Sequence, residues 1–245
     1  MQELIYYQQL DSTNRLAKEL AHQGAVAGTV VQAKRQSAGR GQYERSFLSP
    51  PGGLYFSLIL HPTLSAQEIA LVTLAAGLGC RDAIQAQCGL ATQIKWPNDL
   101  YCSGKKIAGI LSEYCLEMAD SGKTPAVVVG VGMNVNSRST DFPAELQGQL
   151  STLLDCCGKR QDMAALLQAC VESIGWRVEQ LTNSRSVFLT QWQQADYLFG
   201  RKVQHLLRDE QLALGIGQGI DEQGRYLLLD SGQLRRILGG QLRPL

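Results

Sequence analysis

Hydrophobic positions recur along this chain with two periods, and each switch between them marks a predicted element boundary. "LDSTNRLAKELAHQG" carries Leu16 and Leu20 at helical spacing after Asp11, Ser12 and Thr13, any of which can cap exposed amides, and Gly24 ends the run. "GTVVQAKRQ" reads as a buried strand running into a glycine-bearing loop, Gly39 to Phe47. In "LYFSLILHP" the period drops to two: Leu54, Phe56, Leu58 and Leu60 share one face until Pro62 stops the strand. "SAQEIALVTLAAGLGCRDAIQ" returns to helical spacing. Ser65 and Glu68 stand at capping-box distance there, and Ile69, Val72 and Ala76 lie on one stripe of a long, largely buried helix.

Pro97 favours an extended or turning backbone at Trp96 and ends the strand begun in "TQIKW". "DLYCSGKKIAGILSEY" predicts a hairpin with Ser103 and Gly104 at the turn and Lys105 and Lys106 opening the return strand. "AVVVGVGMNV" is apolar enough for a central strand, interrupted by Gly130 and Gly132. A helix follows from Asp162 to about Leu181, turning Leu166, Leu167, Cys170, Val171, Ile174 and Val178 inward, and another surrounds "VFLTQWQQ". Near Gly200 the pattern changes to short strands, "RKVQHLL", "QLALGIGQGI", "RYLLLD" and "QLRRIL", separated by the turn compositions "RDE", "DEQG" and "SG". The expectation is an α+β protein: a main domain over residues 1–197, with a mixed β-sheet packed with helices, and a small β-barrel over 198–245, joined tightly because no linker separates them.

Composition narrows the chemistry. At 245 residues with 44% hydrophobic positions, the chain can build one substantial core or a main domain with an appendage. Its 23 basic and 22 acidic side chains give a net charge of +1, which supplies no electrostatic reason to expect DNA or a membrane as partner. Any nucleotide it handles is then a small molecule. Runs such as "LYFSLIL" fall short of the ~18 residues of a spanning helix, and "MQELIYYQQL" lacks the parts of a signal peptide, so a cytoplasmic location is expected. The 7 cysteines never form C-x-x-C, Cys156 and Cys157 are adjacent, and only His22, His61 and His205 offer imidazoles, so free thiols are expected in place of a structural metal.

Four polar clusters flank predicted strands: "DSTN", "RQSAGRG", "KWPND" with "GKKIAG", and "GVGMN". Each pairs small residues with hydrogen-bonding or cationic groups, which suits a pocket that approaches a ligand through backbone amides and neutralises an anion with Arg40, Lys105 or Lys106. Each also has an ordinary structural explanation. "DSTN" can be a helix cap, Arg40 a solvated loop charge, Lys105 and Lys106 hairpin residues, Trp96 a core residue, and Gly130 and Gly132 a bulge. The loop is not a Walker A sequence, since its lysine and hydroxyl are missing, and "GIGQG" follows a strand without opening a helix, so it is not a dinucleotide fingerprint.

Taken in order, "STN", "QSAGRG", "SPPGGLYFSL", "KWPNDL", "GKKIAGIL" and "GVGMNVN" resemble the biotin protein ligases along nearly the whole chain, and "GRKV", "GIDEQG", "LLL" and "GG" are similar to that family's small SH3-like domain. The resemblance implies a biotin/lipoate-ligase-like catalytic domain followed by an SH3-like barrel. It implies a two-step reaction with MgATP: biotin's carboxylate attacks the α-phosphate, giving biotinyl-5′-AMP, and a lysine of a biotin carboxyl carrier protein, expected to be that of acetyl-CoA carboxylase, then takes the biotin. No Ser-His-Asp or Cys-His set is present, which fits a route without a covalent enzyme intermediate. The chain opens almost at the catalytic domain, so the DNA-binding helix-turn-helix of regulatory members is not expected. Both monomers and homodimers paired through sheet edges occur in the family.

Carried over by position, the resemblance places Ser12, Thr13 and Gln36 around biotin's ureido ring, with Asn14 holding that first turn. Gly39, Arg40, Gly41 and Gln42 form the loop over biotin and the phosphates, and Gly109 and Gly130 leave the ligand space. Arg40 and Lys106 contact the carboxylate and α-phosphate. Arg45, Phe47, Asn98, Lys106 and Asn134 serve ATP, with Asn98 reading adenine; Asp99 positions Mg²⁺ or the incoming amine. The implied catalytic set is Lys106, Arg40 and Asp99. Where many members read G-R-G-R-x-G-R-x-W, this chain has Gln42, Glu44 and Phe47 in place of arginine, glycine and tryptophan, keeping Arg45. Loss of a charge at Gln42 and gain of a carboxylate at Glu44 predict weaker retention of the adenylate. Competing readings are lipoate or octanoate attachment by an enzyme of the same fold, and a non-catalytic biotin-binding protein.

Overall fold

The computed structural model describes residues 1–65, 68–115, 125–206 and 212–245. Its first sheet comprises β1 (Glu3–Tyr7), β2 (Thr29–Ala33), β3 (Leu54–Leu60), β4 (Gln93–Lys95), β5 (Asp99–Cys102), β6 (Lys105–Cys115) and β7 (Ala126–Met133). These lie in the order β1-β2-β3-β7-β6-β5-β4. β1 runs parallel to β2, while the other neighbouring pairs are antiparallel. β7 is central, as its valine run requires: only Gly132 among its residues is not fully buried. β3 is buried on both faces, so Ile59 faces one core while Leu54, Phe56 and Leu58 face the other. β1 has no counterpart in the sequence reading, because an edge strand whose residues are mostly exposed leaves no burial alternation to detect.

One face of the sheet carries α1 (Thr13–His22), capped by Ser12, whose side chain accepts from the Arg15 backbone N–H. The residues α1 buries are Thr13, Asn14, Ala17 and Ala21; Leu16 and Leu20 sit at the rim. Two alanines let the helix lie close to Val31, Ile59 and Val128, which larger side chains would prevent. The opposite face carries α2 (Ile69–Cys88), α5 (Met163–Asn183) and α6 (Arg185–Ala195), with the short α3 (Ala144–Gln147) and α4 (Leu153–Cys157) leading into α5. α2 and α5 cross closely at Gly79, where a side chain would come within 2.7 Å of the Ile174 backbone. α2 is long and apolar enough to span a membrane by composition alone, yet it packs inside the core. Ser65 and Glu68 form the glutamate half of the capping box that their spacing suggests. The Ser65 backbone N–H and hydroxyl donate to the Glu68 carboxylate, both at 2.9 Å, and Glu68 also pairs with Arg185.

The second sheet is antiparallel, with β8 (Lys202–Leu206), β9 (Leu212–Ile220), β10 (Tyr226–Asp230), β11 (Gln233–Ile237) and β12 (Gln241–Pro244) in the order β11-β10-β9-β8-β12. The "RDE" turn lies outside the described residues. The two sheets share one apolar core, in which Val203, Tyr226, Leu228 and Leu242 pack with Leu74, Trp96 and Leu198. Trp96 donates its indole N–H to Gly224 O at 3.0 Å, and Tyr226 Oη donates to Asp196 at 2.8 Å. The junction is tight, in the sense that no linker separates the α+β layer from the C-terminal strands.

Candidate functional site

Strand register lays the site out. Lys95 pairs with Asp99, Asp99 with Gly109, Gly109 with Gly132 and Gly132 with Tyr55, so one row crosses β4, β5, β6, β7 and β3. Two residues along, Leu111, Gly130, Ser57 and Val31 form a parallel row. Paired residues point to one side of a sheet. Because Val31 packs under α1, both rows face the N-terminus of that helix. Glycines at 109, 130 and 132 therefore hollow the sheet below the "STN" turn, beside a cavity of ≈ 770 Å³, a size that suits a small ligand.

All three hollows, Gly109 and Gly130 included, are occupied by the protein's own side chains. A side chain at Gly130 would come within 2.0 Å of Asn14 Oδ1, so this glycine makes room for Asn14 and not directly for a ligand. Asn14 gives its amide hydrogens to Leu111 O at 3.2 Å and Glu113 Oε2 at 2.8 Å, and accepts from Ser57 Oγ at 2.6 Å. Glu113 is held in turn by Lys18 at 2.5 Å. At Gly132 a side chain would meet the Phe47 ring at 2.5 Å, and the same ring lies over Gly109. The indole expected at this place is replaced by a phenyl ring that keeps the aromatic floor, set edge-on to Tyr55 at 6.4 Å.

Beside Asn14, uncharged polar groups form a connected recess. The Thr13 backbone N–H donates to Gln36 Oε1 at 2.8 Å, Gln36 Nε2 donates to Ser49 Oγ at 2.9 Å, and Ser57 Oγ stands 2.8 Å from Thr13 Oγ1. Opposite lies the β5–β6 hairpin. Ser103 and Gly104 have φ of 50° and 78°, the positive pair that a two-residue hairpin turn requires. A bulge after Leu100 then sets Lys106 opposite Tyr101, and Lys106 Nζ lies 2.6 Å from Asp99 Oδ1. The Lys106 backbone is pinned on its free side as well: its N–H donates to Gln149 O at 3.1 Å, and its carbonyl accepts from Ser151 N–H at 2.8 Å.

The Gly39–Phe47 loop folds as a small flap beside this space, closed by Phe47 N–H to Gly39 O at 2.8 Å and Gly41 N–H to Arg45 O at 2.7 Å. Arg40, Gly41, Gln42, Arg45 and Phe47 line the cavity with Ser12, Thr13, Asn14, Gln36, Asn98, Asp99, Lys106, Gly109 and Gly130. Two expected residues do not. Gly39 packs at the flap's base, where a side chain would strike Phe47 O at 2.4 Å. Asn134 is buried outside the cavity lining and donates to Ser151 O at 3.1 Å, so it braces the segment that holds Lys106. Asn98 lines the cavity while giving one amide hydrogen to Ile110 O at 2.9 Å. The Glu44 side chain lies outside what the structure describes.

Other lining residues were not among the expected ones. Ser57, fully buried beneath the lining, is a lone hydroxyl in a strand apolar on both faces. Lys95 heads "KWPND" but needs register to be seen beside Asp99. Tyr101 and Tyr197, stacked at 4.8 Å, and Arg243 of β12 are brought in from distant segments. The lining thus carries Arg40, Arg45, Lys95, Lys106 and Arg243 against a single carboxylate, Asp99, among the described residues. Burial pushes the Lys95 ammonium below its ordinary pKa; Asp99 opposes this, and Lys106 and Arg243 add to it. Such an excess of positive charge awaits a polyanion.

A cation-rich cavity adjoining a neutral polar recess, on a glycine-hollowed mixed sheet, can hold an anion beside an uncharged polar group. Residues 6–134 match the Biotin/lipoate A/B protein ligase family, and the chain belongs to that family. It is 33% identical over 243 residues to the bifunctional ligase/repressor BirA of Bacillus spizizenii, covering 98% of this chain and 74% of the relative. It is 30% identical over 233 residues to the biotin–[acetyl-CoA-carboxylase] ligase of Mycobacterium tuberculosis, covering 91% of this chain and 82% of that one. The biotin protein ligase of Aquifex aeolicus in complex with biotin and ATP superposes with a TM-score of 0.86 over 100% of both chains, at 29% identity.

Proposed function

We infer that this protein activates biotin with ATP to biotinyl-5′-AMP and transfers the biotin to a lysine of a biotin carboxyl carrier protein, that of acetyl-CoA carboxylase. The observation that carries the reading is the Lys106–Asp99 pair, 2.6 Å apart, standing in a cation-rich cavity beside the Thr13–Gln36–Ser57 recess. Ser12, Thr13 and Gln36 supply donors and acceptors matched to a ureido ring, and Asn14 fixes their turn from below. A carboxylate oxygen of biotin attacks the α-phosphorus, the P–O bond to the β-phosphate breaks, and pyrophosphate leaves. Lys106 and Arg40 stabilise the charge that builds on the phosphoryl oxygens.

In the second step the carrier's amine attacks the acyl carbonyl, and AMP leaves with the C–O electron pair. A lysine amine in water titrates near pH ~10.4, so only about one in several thousand is neutral at pH 7. Asp99, the sole carboxylate of the described lining, orients that amine and takes up its charge. Asp99, which lines the cavity beside Lys106, is the residue that would hold the magnesium of MgATP, and the ion would supply neutralisation of the phosphate charge. Biotin-dependent exchange of labelled pyrophosphate into ATP, run beside transfer to a purified carrier domain, tests the reading. Exchange with transfer is expected; a protein that does neither with biotin, and is stabilised by lipoate instead, overturns it.

A further inference from the structure

The flap is fastened at its tip to the second sheet. Tyr43, in the middle of the Gln42–Glu44 turn, adopts φ 56° and ψ 39°, a left-handed conformation that costs a side-chain-bearing residue energy. The residue is 56% exposed, so burial does not offset that cost. What the conformation achieves is reach: the phenol extends to the turn before β12, where the Gly240 backbone N–H donates to Tyr43 Oη at 3.1 Å.

The receiving turn is shaped for this contact. Gly240 has φ 99°, and a side chain there would strike His205 Nε2 at 2.7 Å; one at Gly239 would come within 3.0 Å of Tyr43 Oη. Buried His205 places Nε2 at 2.9 Å from Gly239 O, and because a carbonyl only accepts, Nε2 carries the proton. The flap therefore has two anchors. Its base rests on the first sheet through Phe47, over Gly109 and Gly132, and its tip hangs on one hydrogen bond to the second.

We propose that Tyr43 is a positioning residue whose hydroxyl latches the flap to the Gly239–Gly240 turn, so that the C-terminal sheet keeps the activated adenylate enclosed. This rests on the adenylate-forming reading above. A closed flap excludes the water that hydrolyses an acyl-adenylate. Gln42 brings no charge to hold the phosphate, and the latch supplies restraint by geometry.

Tyr43→Phe keeps the ring and deletes the acceptor. Expected are an about fivefold faster release of biotinyl-5′-AMP, the worth of one neutral hydrogen bond, and faster hydrogen exchange at the Gly240 amide in the ligand-free protein. The β8 and β9 amides and the urea midpoint should not move. Leu238→Ala, at a side chain 81% exposed beside the same turn, should change none of these. Unchanged Gly240 exchange overturns the latch, as does loss of protection throughout β8 and β9; faster exchange with unchanged adenylate release overturns its role in retention. The exchange arm needs no ligand, so a protein that forms no adenylate refutes the functional reading while leaving the latch to be judged separately.

Discussion

Adding one methyl group at each of two neighbouring glycines should produce opposite failures. In Gly130→Ala the new Cβ falls 2.0 Å from Asn14 Oδ1, about half a van der Waals contact distance. Asn14 is 5% exposed and tied to Leu111 O, Glu113 and Ser57, so it has nowhere to go without breaking three hydrogen bonds, one of them to a carboxylate. At ~1 kcal/mol for each neutral bond and ~1.5–3 for the charged one, partial relaxation leaves a loss of roughly 2–4 kcal/mol. In Gly132→Ala the methyl meets the Phe47 ring at 2.5 Å, but that ring belongs to the flap and can lift. Stability should fall by no more than about 1 kcal/mol, since a surface segment can adjust without loss of core packing. Urea unfolding of the two variants, read beside calorimetric titration with biotin, separates them: Gly130→Ala loses stability and biotin binding together, whereas Gly132→Ala shifts its midpoint by much less and loses enclosure of the ligand. Equal midpoints for both variants would falsify the assignment of Gly130 to Asn14.

Three further outcomes can be checked. Lys106→Ala should lower the adenylation rate by ~10²–10³, the usual cost of one preorganised donor, with Asp99→Asn slowing transfer from preformed adenylate; near-normal rates remove either residue from its step. Gln42→Arg should slow adenylate release, and a release rate at or above that of the unaltered protein contradicts the charge argument. Asp196 is 5% exposed, and burial raises its carboxyl pKa from 3.8 to about 6, against the opposing hydrogen bonds from Leu198 N–H and Tyr226 Oη. The folded protein therefore holds a proton there that the unfolded chain has lost, and this contribution to stability is present below pH ~4 and disappears as pH rises through about 6. Asp196→Asn should remove that slope and gain roughly 1–3 kcal/mol at pH 8; unfolding profiles from pH 4 to 8 that stay parallel to the parent's exclude it.

What the sequence by itself determined was whatever depends on near neighbours. The valine run of β7 required a strand buried on both faces, Ser103-Gly104 required a tight hairpin, and that hairpin delivered Lys106 to the start of β6. The helix expected from Asp162 is α5, capped by that residue, with the predicted inward residues buried. The polar clusters, in their order, pointed to about half of the cavity lining. Tertiary structure decided the rest, because register joins segments that no local period relates. It tied Asn134 to Ser151, filled the hollow at Gly130 with Asn14, and set Lys95 beside Asp99. It also brought Arg243 and the Gly240 turn to a flap some two hundred residues earlier in the chain, a contact written in neither segment alone. A side chain's face follows from its period along one strand; what stands opposite that face follows only from how the strands pair and which helix end lies over them.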